Sequence, residues 1–169
     1  MSNFGVRVGV HYKLWCYDKL KKLKWVNEIL CNLVVTEGRN LLLDNTFTVP
    51  AAAVTFFVGL ITGPGSGTTY AAEDLLDSHT GWVENADYAG DRKAFVPNAA
   101  ASSGAISNSS SKASFAINAT ATLAGAFLTS AESGTTGALF GAGDFTGGDR
   151  SVEDGDTVNV QVDISITAS

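Results

Sequence analysis

The sequence predicts an all-β chain: an antiparallel β-sandwich of jelly-roll type, with an N-terminal β-hairpin and one short helix. Three observations predict it. The C-terminal stretch "TVNVQVDISIT" alternates Val158, Val160, Val162, Ile164 and Ile166 with polar residues, the period-two pattern of a half-buried strand. Short apolar or β-branched runs recur at roughly ten-residue intervals, separated by Gly, Asn, Ser or Asp. Eighteen glycines and a charged fraction of only 17% suit tight turns and extended segments better than helices.

Taken in order, residues 6–17, "VRVGVHYKLWCY", place Val6, Val8, Val10, Tyr12, Leu14 and Cys16 on one face of a strand. A second strand, from Lys24 to Val35, returns after the turn "DKLKKL" and completes a hairpin with lysines at its tip. Residues 1–35 are expected to form an arm packed on or extending from the body, and residues 36–169 the sandwich, in one domain overall. Thr36 suits a helix N-cap and Glu37 a first turn, but Gly38 limits the expectation to one or two turns. "VTFFVGLI" at 54–61 is a continuous apolar run, expected to be buried on both faces at the centre of the sandwich. A long polar loop over 62–81 follows. Strands are then expected near 81–85, 92–96, 103–107, 112–118, 120–129, 137–142 and 156–167. No repeat period and no alternation of strands with amphipathic helices is present, which sets solenoids and parallel α/β folds aside.

Charge is unevenly placed. Residues 1–40 carry seven basic and three acidic side chains, and the remainder carries four basic and fourteen acidic. A basic segment on an acidic body points to an anionic partner, and the net charge of −6 argues against a nucleic-acid binder. Lys19, Lys21, Lys22 and Lys24 are the residues expected to make a partner contact. No signal-peptide pattern and no apolar run of membrane-spanning length is seen, so no membrane contact is expected. Cys16 and Cys31 are expected as small buried hydrophobes.

Chemistry is sparse. His11 falls on an outward strand position, and His79 in a polar loop. Asp77, Ser78 and His79 contain the residue types of a catalytic triad, but neighbours in sequence cannot form the relay. "GPGSGTT" at 63–69 lacks the lysine of a phosphate loop. Asp144, Asp149, Glu153, Asp154 and Asp156 miss the spacing of a calcium loop and suit turns instead. Two cysteines without a CxxC and two distant histidines exclude the usual zinc sites. Neither catalysis nor a metal or cofactor is expected. Trp15, Trp25, Trp82, Phe56, Phe57, Tyr70 and Tyr88 are suited to a sugar platform or, more commonly, to a core.

Several stretches, in this order, go beyond composition: "NLVVTEGRNLLLD", "FFVGLITG", "YAAEDLLDSHTGWVENADYAGDRKAF", "FAINATATLAGAFLT" and "GTTGALFGAGDFTGGDRSVEDGDTVNVQVDI". Together they resemble a family of small structural proteins of tailed-bacteriophage virions, associated with capsid cement or decoration subunits. The resemblance spans about Tyr12 to Ile166. It implies a jelly-roll-like domain that binds the outer surface of the major capsid protein shell as a homo-oligomer, dimer or trimer, without touching nucleic acid directly. It implies a place on the capsid exterior of the virion, after assembly in the bacterial host cytoplasm. The alternative is a tail-associated or fibre-like module that binds receptor glycans.

Overall fold

A computed structural model of the chain describes residues 5–30, 32–48, 53–63 and 69–168. Its elements are β1 (Val6–Tyr17), β2 (Leu23–Ile29), β3 (Asn32–Val34), α1 (Thr36–Phe47), β4 (Phe57–Thr62), β5 (Glu84–Asn85) and β6 (Lys93–Ala94). There follow β7 (Ala105–Ser107), β8 (Ala113–Ala116), β9 (Ala121–Thr129), β10 (Leu139–Asp144), β11 (Arg150–Val152) and β12 (Thr157–Ala168). Two antiparallel sheets pack face to face. One has the order β2-β1-β12-β7, with β8 also on β12; the other has the order β3-β10-β9-β4-β5, with β11 on β9 and β6 on β4. The chain is an all-β sandwich. These five- and seven-stranded sheets do not establish the jelly-roll winding expected from the sequence.

The alternating pattern of β12 does what its period dictates. Val158, Val160 and Val162 point inward and are fully buried, facing the same core as Tyr12, Leu14 and Cys16 of β1. β12 pairs with β1 from Val6↔Ala168 to Tyr17↔Thr157, and its other edge takes β8 and then β7. The last strand is thus central to its sheet.

β4 is buried on both faces, as its unbroken apolar run predicts. Val58 and Leu60 enter the core between the sheets, whereas Ile61 joins a second cluster with Leu76, Trp82 and Phe127. Gly59 lies against the Phe127 ring, where any Cβ would collide. The long loop after β4 covers this outer face through Trp82 and Leu76.

Four expectations need correcting. The stretch from Lys24 to Val35 is not one strand: β2 ends at Ile29 and β3 crosses to the other sheet, where it pairs with β10. The hairpin, expected to pack on the body or extend from it, does not extend, because β1 is paired with β12 along its whole length. The helix runs twelve residues rather than one or two turns, with Val35 at its N-cap and Thr36 inside it. Gly38, the residue that argued for brevity, is what lets the helix lie on β10, since a Cβ there would strike the Phe140 carbonyl. Finally, β11 is a strand that no periodicity announced. Three residues are too few to show a period.

Candidate functional site

The turn between β1 and β2 is built around Asp18. Its Oδ1 accepts the amides of Leu20 and Lys22, both at 2.8 Å, and its own amide donates to the Lys22 carbonyl at 2.9 Å. The Lys21 amide returns to the Asp18 carbonyl at 2.8 Å. An aspartate commonly organises a turn in this way, by bonding the backbone two residues ahead. Lys21 adopts a left-handed backbone with φ of 63°, a conformation that costs a non-glycine side chain energy. Leu20 is the outcome: an aliphatic side chain 82% exposed at the apex of a hydrogen-bonded loop, with Lys19, Lys21 and Lys22 exposed around it. "Lysines at a hairpin tip" was legible in the sequence. The apical leucine was not singled out, although a lone apolar residue inside "DKLKK" was a signal for it.

Lys24 does not belong with these three. Its Nζ lies 2.7 Å from Asp156 Oδ2 and 3.8 Å from Glu153, so it ties β2 to the turn before β12. Asp156 is 3% exposed, also accepts the Glu153 amide at 2.9 Å, and lies 3.7 Å from Cys16 Sγ. The hydrogen bond to Asp156 raises the Lys24 pKa above its ordinary value. Burial first, and then the Asp156 charge, push the Cys16 thiol up to about 12. Lys24 is therefore a strut between β2 and that turn; Lys19 and Lys22 are exposed beside it, and Lys21, also exposed, donates to Thr157 Oγ1 at 3.4 Å. Cys31 lies outside the described residues.

The other sequence candidates are placed as follows. The His79 ring stacks on Trp82 with centroids 3.7 Å apart, and its Nδ1 donates to the Trp82 carbonyl at 3.1 Å. Ser78 exchanges backbone bonds with Leu75. Of the phosphate-loop-like segment, residues 64–68 lie outside the described residues. Trp82 and Tyr88, at 5% and 6% exposure, are core residues and cannot present a sugar platform. Tyr70 is half-buried and donates to Asp144 at 2.6 Å. Trp25 packs on Phe145 and donates to the Ser151 carbonyl at 3.0 Å. Trp15 sits on the outer face of its sheet, with the Lys13 and Lys112 ammonium groups 5.6 and 5.0 Å from its ring. The acidic residues fall in two places: Asp144 and Asp149 beside Tyr70, and Glu153 and Asp156 at Lys24. Among the described residues no three His, Cys, Asp or Glu side chains are grouped to hold a metal ion. Among the described residues no helix is long and apolar enough to cross a membrane.

Two interior features escaped sequence reasoning. Arg92 is buried and clamps Glu84 with bonds of 2.8 and 2.6 Å, donates to the Ala131 carbonyl at 3.0 Å and lies over the Phe127 ring. Asn108 is fully buried and bonds the backbone of β12. A cavity of about 520 Å³ also opens between the sheets near α1, lined by Leu42, Phe56, Phe95, Ile106, Phe140 and Ile164 among others. Among the described residues no charged side chain lines it, so they offer little to orient a polar ligand.

Comparison with protein-family models, with curated protein sequences and with solved structures returns no match to this chain.

Proposed function

We propose that this chain is a structural subunit of a bacteriophage virion that binds the outer surface of an assembled capsid as a cement or decoration protein. The hairpin tip supports the reading best. It projects an exposed leucine ringed by three lysines from a turn whose geometry Asp18 holds in advance, on a body of opposite net charge. Such a knob suits docking, because little conformational entropy remains to be lost and the lysines steer it towards acidic surfaces. Many weak contacts of this kind hold a subunit on a repetitive shell through multivalency. The resemblance to phage virion proteins points the same way.

The test is quantitative mass spectrometry of purified virions, followed by rebinding of recombinant protein to heads. Many copies per particle, with occupancy lost as salt rises and on joint reversal of Lys19, Lys21 and Lys22 to Glu, is the expected result. Lys24 is left intact, since its reversal would put a carboxylate against Asp156 and confuse binding with folding. A few copies confined to the tail would replace the shell reading with the tail-associated one. Absence from particles would end both.

A further inference from the structure

We propose that copies of this chain join head to tail, with the hairpin tip of one seated in an acidic groove beside α1 of the next. The groove, of about 490 Å³, lies between α1 and the loop around residues 73–75. Leu41 and Leu75 supply its apolar wall, and Glu37, Asp44 and Glu73 line it with three carboxylates. No lysine or arginine is among the described residues that line it; Arg39 reaches its edge, where the guanidinium donates to the lining Thr36 at 2.8 Å, so three carboxylates face one cation. The tip has the complementary composition: one apical leucine and three exposed lysines, against two leucines and three carboxylates in the groove. An apolar centre with a charged rim on each side is the layout of a docking pair, and the signs match.

The two features cannot meet within one molecule. β1 climbs from Val6 to the tip, and β2 leads back down until Ile29 lies opposite Tyr12. The Val10 amide then donates to Asn32 Oδ1, so β3 continues in the same direction, away from the tip, and α1 follows it. Tip and groove therefore lie at opposite ends of the sandwich. A contact between different patches is heterologous, so it grows into a chain or closes into a ring and does not stop at a two-fold dimer. The proposal does not rest on the virion reading, because it concerns the purified chain with no particle present; a tip seated in a sister groove is not available to a capsid, so the two contacts compete for it.

Sedimentation equilibrium of the full chain tests it. At about 20 mM salt the weight-average mass should rise past the dimer with concentration, and at about 0.5 M salt it should fall back as the charges are screened. Leu20→Ser removes the apolar centre at a site too exposed to affect folding, and should weaken association by about tenfold or more. Joint reversal of Lys19, Lys21 and Lys22 to Glu should do the same, as should Asp44→Lys with Glu73→Lys. Mixing the tip-reversed and groove-reversed proteins should restore association, since each then finds a complementary end on the other. A chain that stays monomeric at low salt overturns the proposal. So does a discrete dimer that does not grow, association untouched by Leu20→Ser, or failure of the mixture to associate. Loss of capsid binding with self-association intact would remove the cement reading and leave this one standing.

Discussion

Asn108 stands in for a missing piece of strand. β8 covers the edge of β12 from Thr157 to Val160, and β7 covers Asp163 to Ser165, which leaves a gap between them. Into that gap the Asn108 side chain accepts the Val162 amide at 2.6 Å and donates to the Val160 carbonyl at 3.3 Å. Asn108→Ala would leave both backbone groups buried without these partners, and should cost about 1–3 kcal/mol in chemical denaturation. A variant as stable as the parent would show that water takes over the role. Lys24 predicts a pH effect. Its folded pKa is raised above the ordinary 10.5, so the pair with Asp156 contributes fully below that value and is lost as pH rises through the higher folded one. Tyr12 and Tyr88, which are buried, and the half-buried Tyr70 are raised as well, chiefly by loss of solvent, and weaken the fold in the same alkaline range. The difference in stability between the parent and Lys24→Met isolates the pair: it should be constant to about pH 10 and shrink above it. A difference that grows with alkali would reverse the assignment.

At the scale of elements, β12 carries the strongest test because its two faces have opposite surroundings. Val162→Asp places a charge with no partner in the main core, opposite Tyr12 in register, and should cost about 3–5 kcal/mol and most soluble expression. Gln161, one residue earlier, donates to Asp163 on the outer face, at 3.1 and 2.9 Å. Gln161→Ser should lose less than about 1 kcal/mol. Equal effects at the two positions would mean that the strand is not held in this register, because a slip of one residue exchanges the faces. The helix teaches the reverse lesson. Local propensity argued for a short α1, and tertiary contact made it long: the missing side chain at Gly38, unfavourable in an isolated helix, is required where helix and β10 backbone touch.

Across the whole molecule, the first and last strands of the described chain are neighbours, so the five-stranded sheet is complete only when β12 is in place. Pairing so distant in sequence is entropically slow to form, and it closes the molecule into one cooperative unit in which the hairpin cannot move as a separate arm. That changes what the uneven charge means. The basic segment is not a loose basic tail but one rigid pole, Lys19, Lys21 and Lys22 around Leu20, with the acidic groove at the other pole. A fixed polarity of this kind gives orientation to any assembly, and the proposed attachment and self-association should both fall with salt for the same physical reason.

By itself the sequence determined the all-β class, the faces of β1 and β12, the two-sided burial of β4 and the lysine-bearing turn. Each is written in local order: a period of two, an unbroken apolar run, or turn residues between strands. Only the tertiary structure decided that the hairpin is built into a sheet, that the second strand breaks and crosses to the other sheet, and that Lys24 is a strut while Lys19, Lys21 and Lys22 are exposed at the tip. It also decided that Trp82 and Tyr88 are core residues, and that Asn108 and Arg92 are structural. These outcomes depend on groups far apart in the chain, such as Lys24 with Asp156, Gly38 with Phe140 and Asn108 with Val162. Periodicity records which face of a segment is buried. It does not record what lies opposite, and the partner opposite decides whether a lysine holds the fold together or faces the outside.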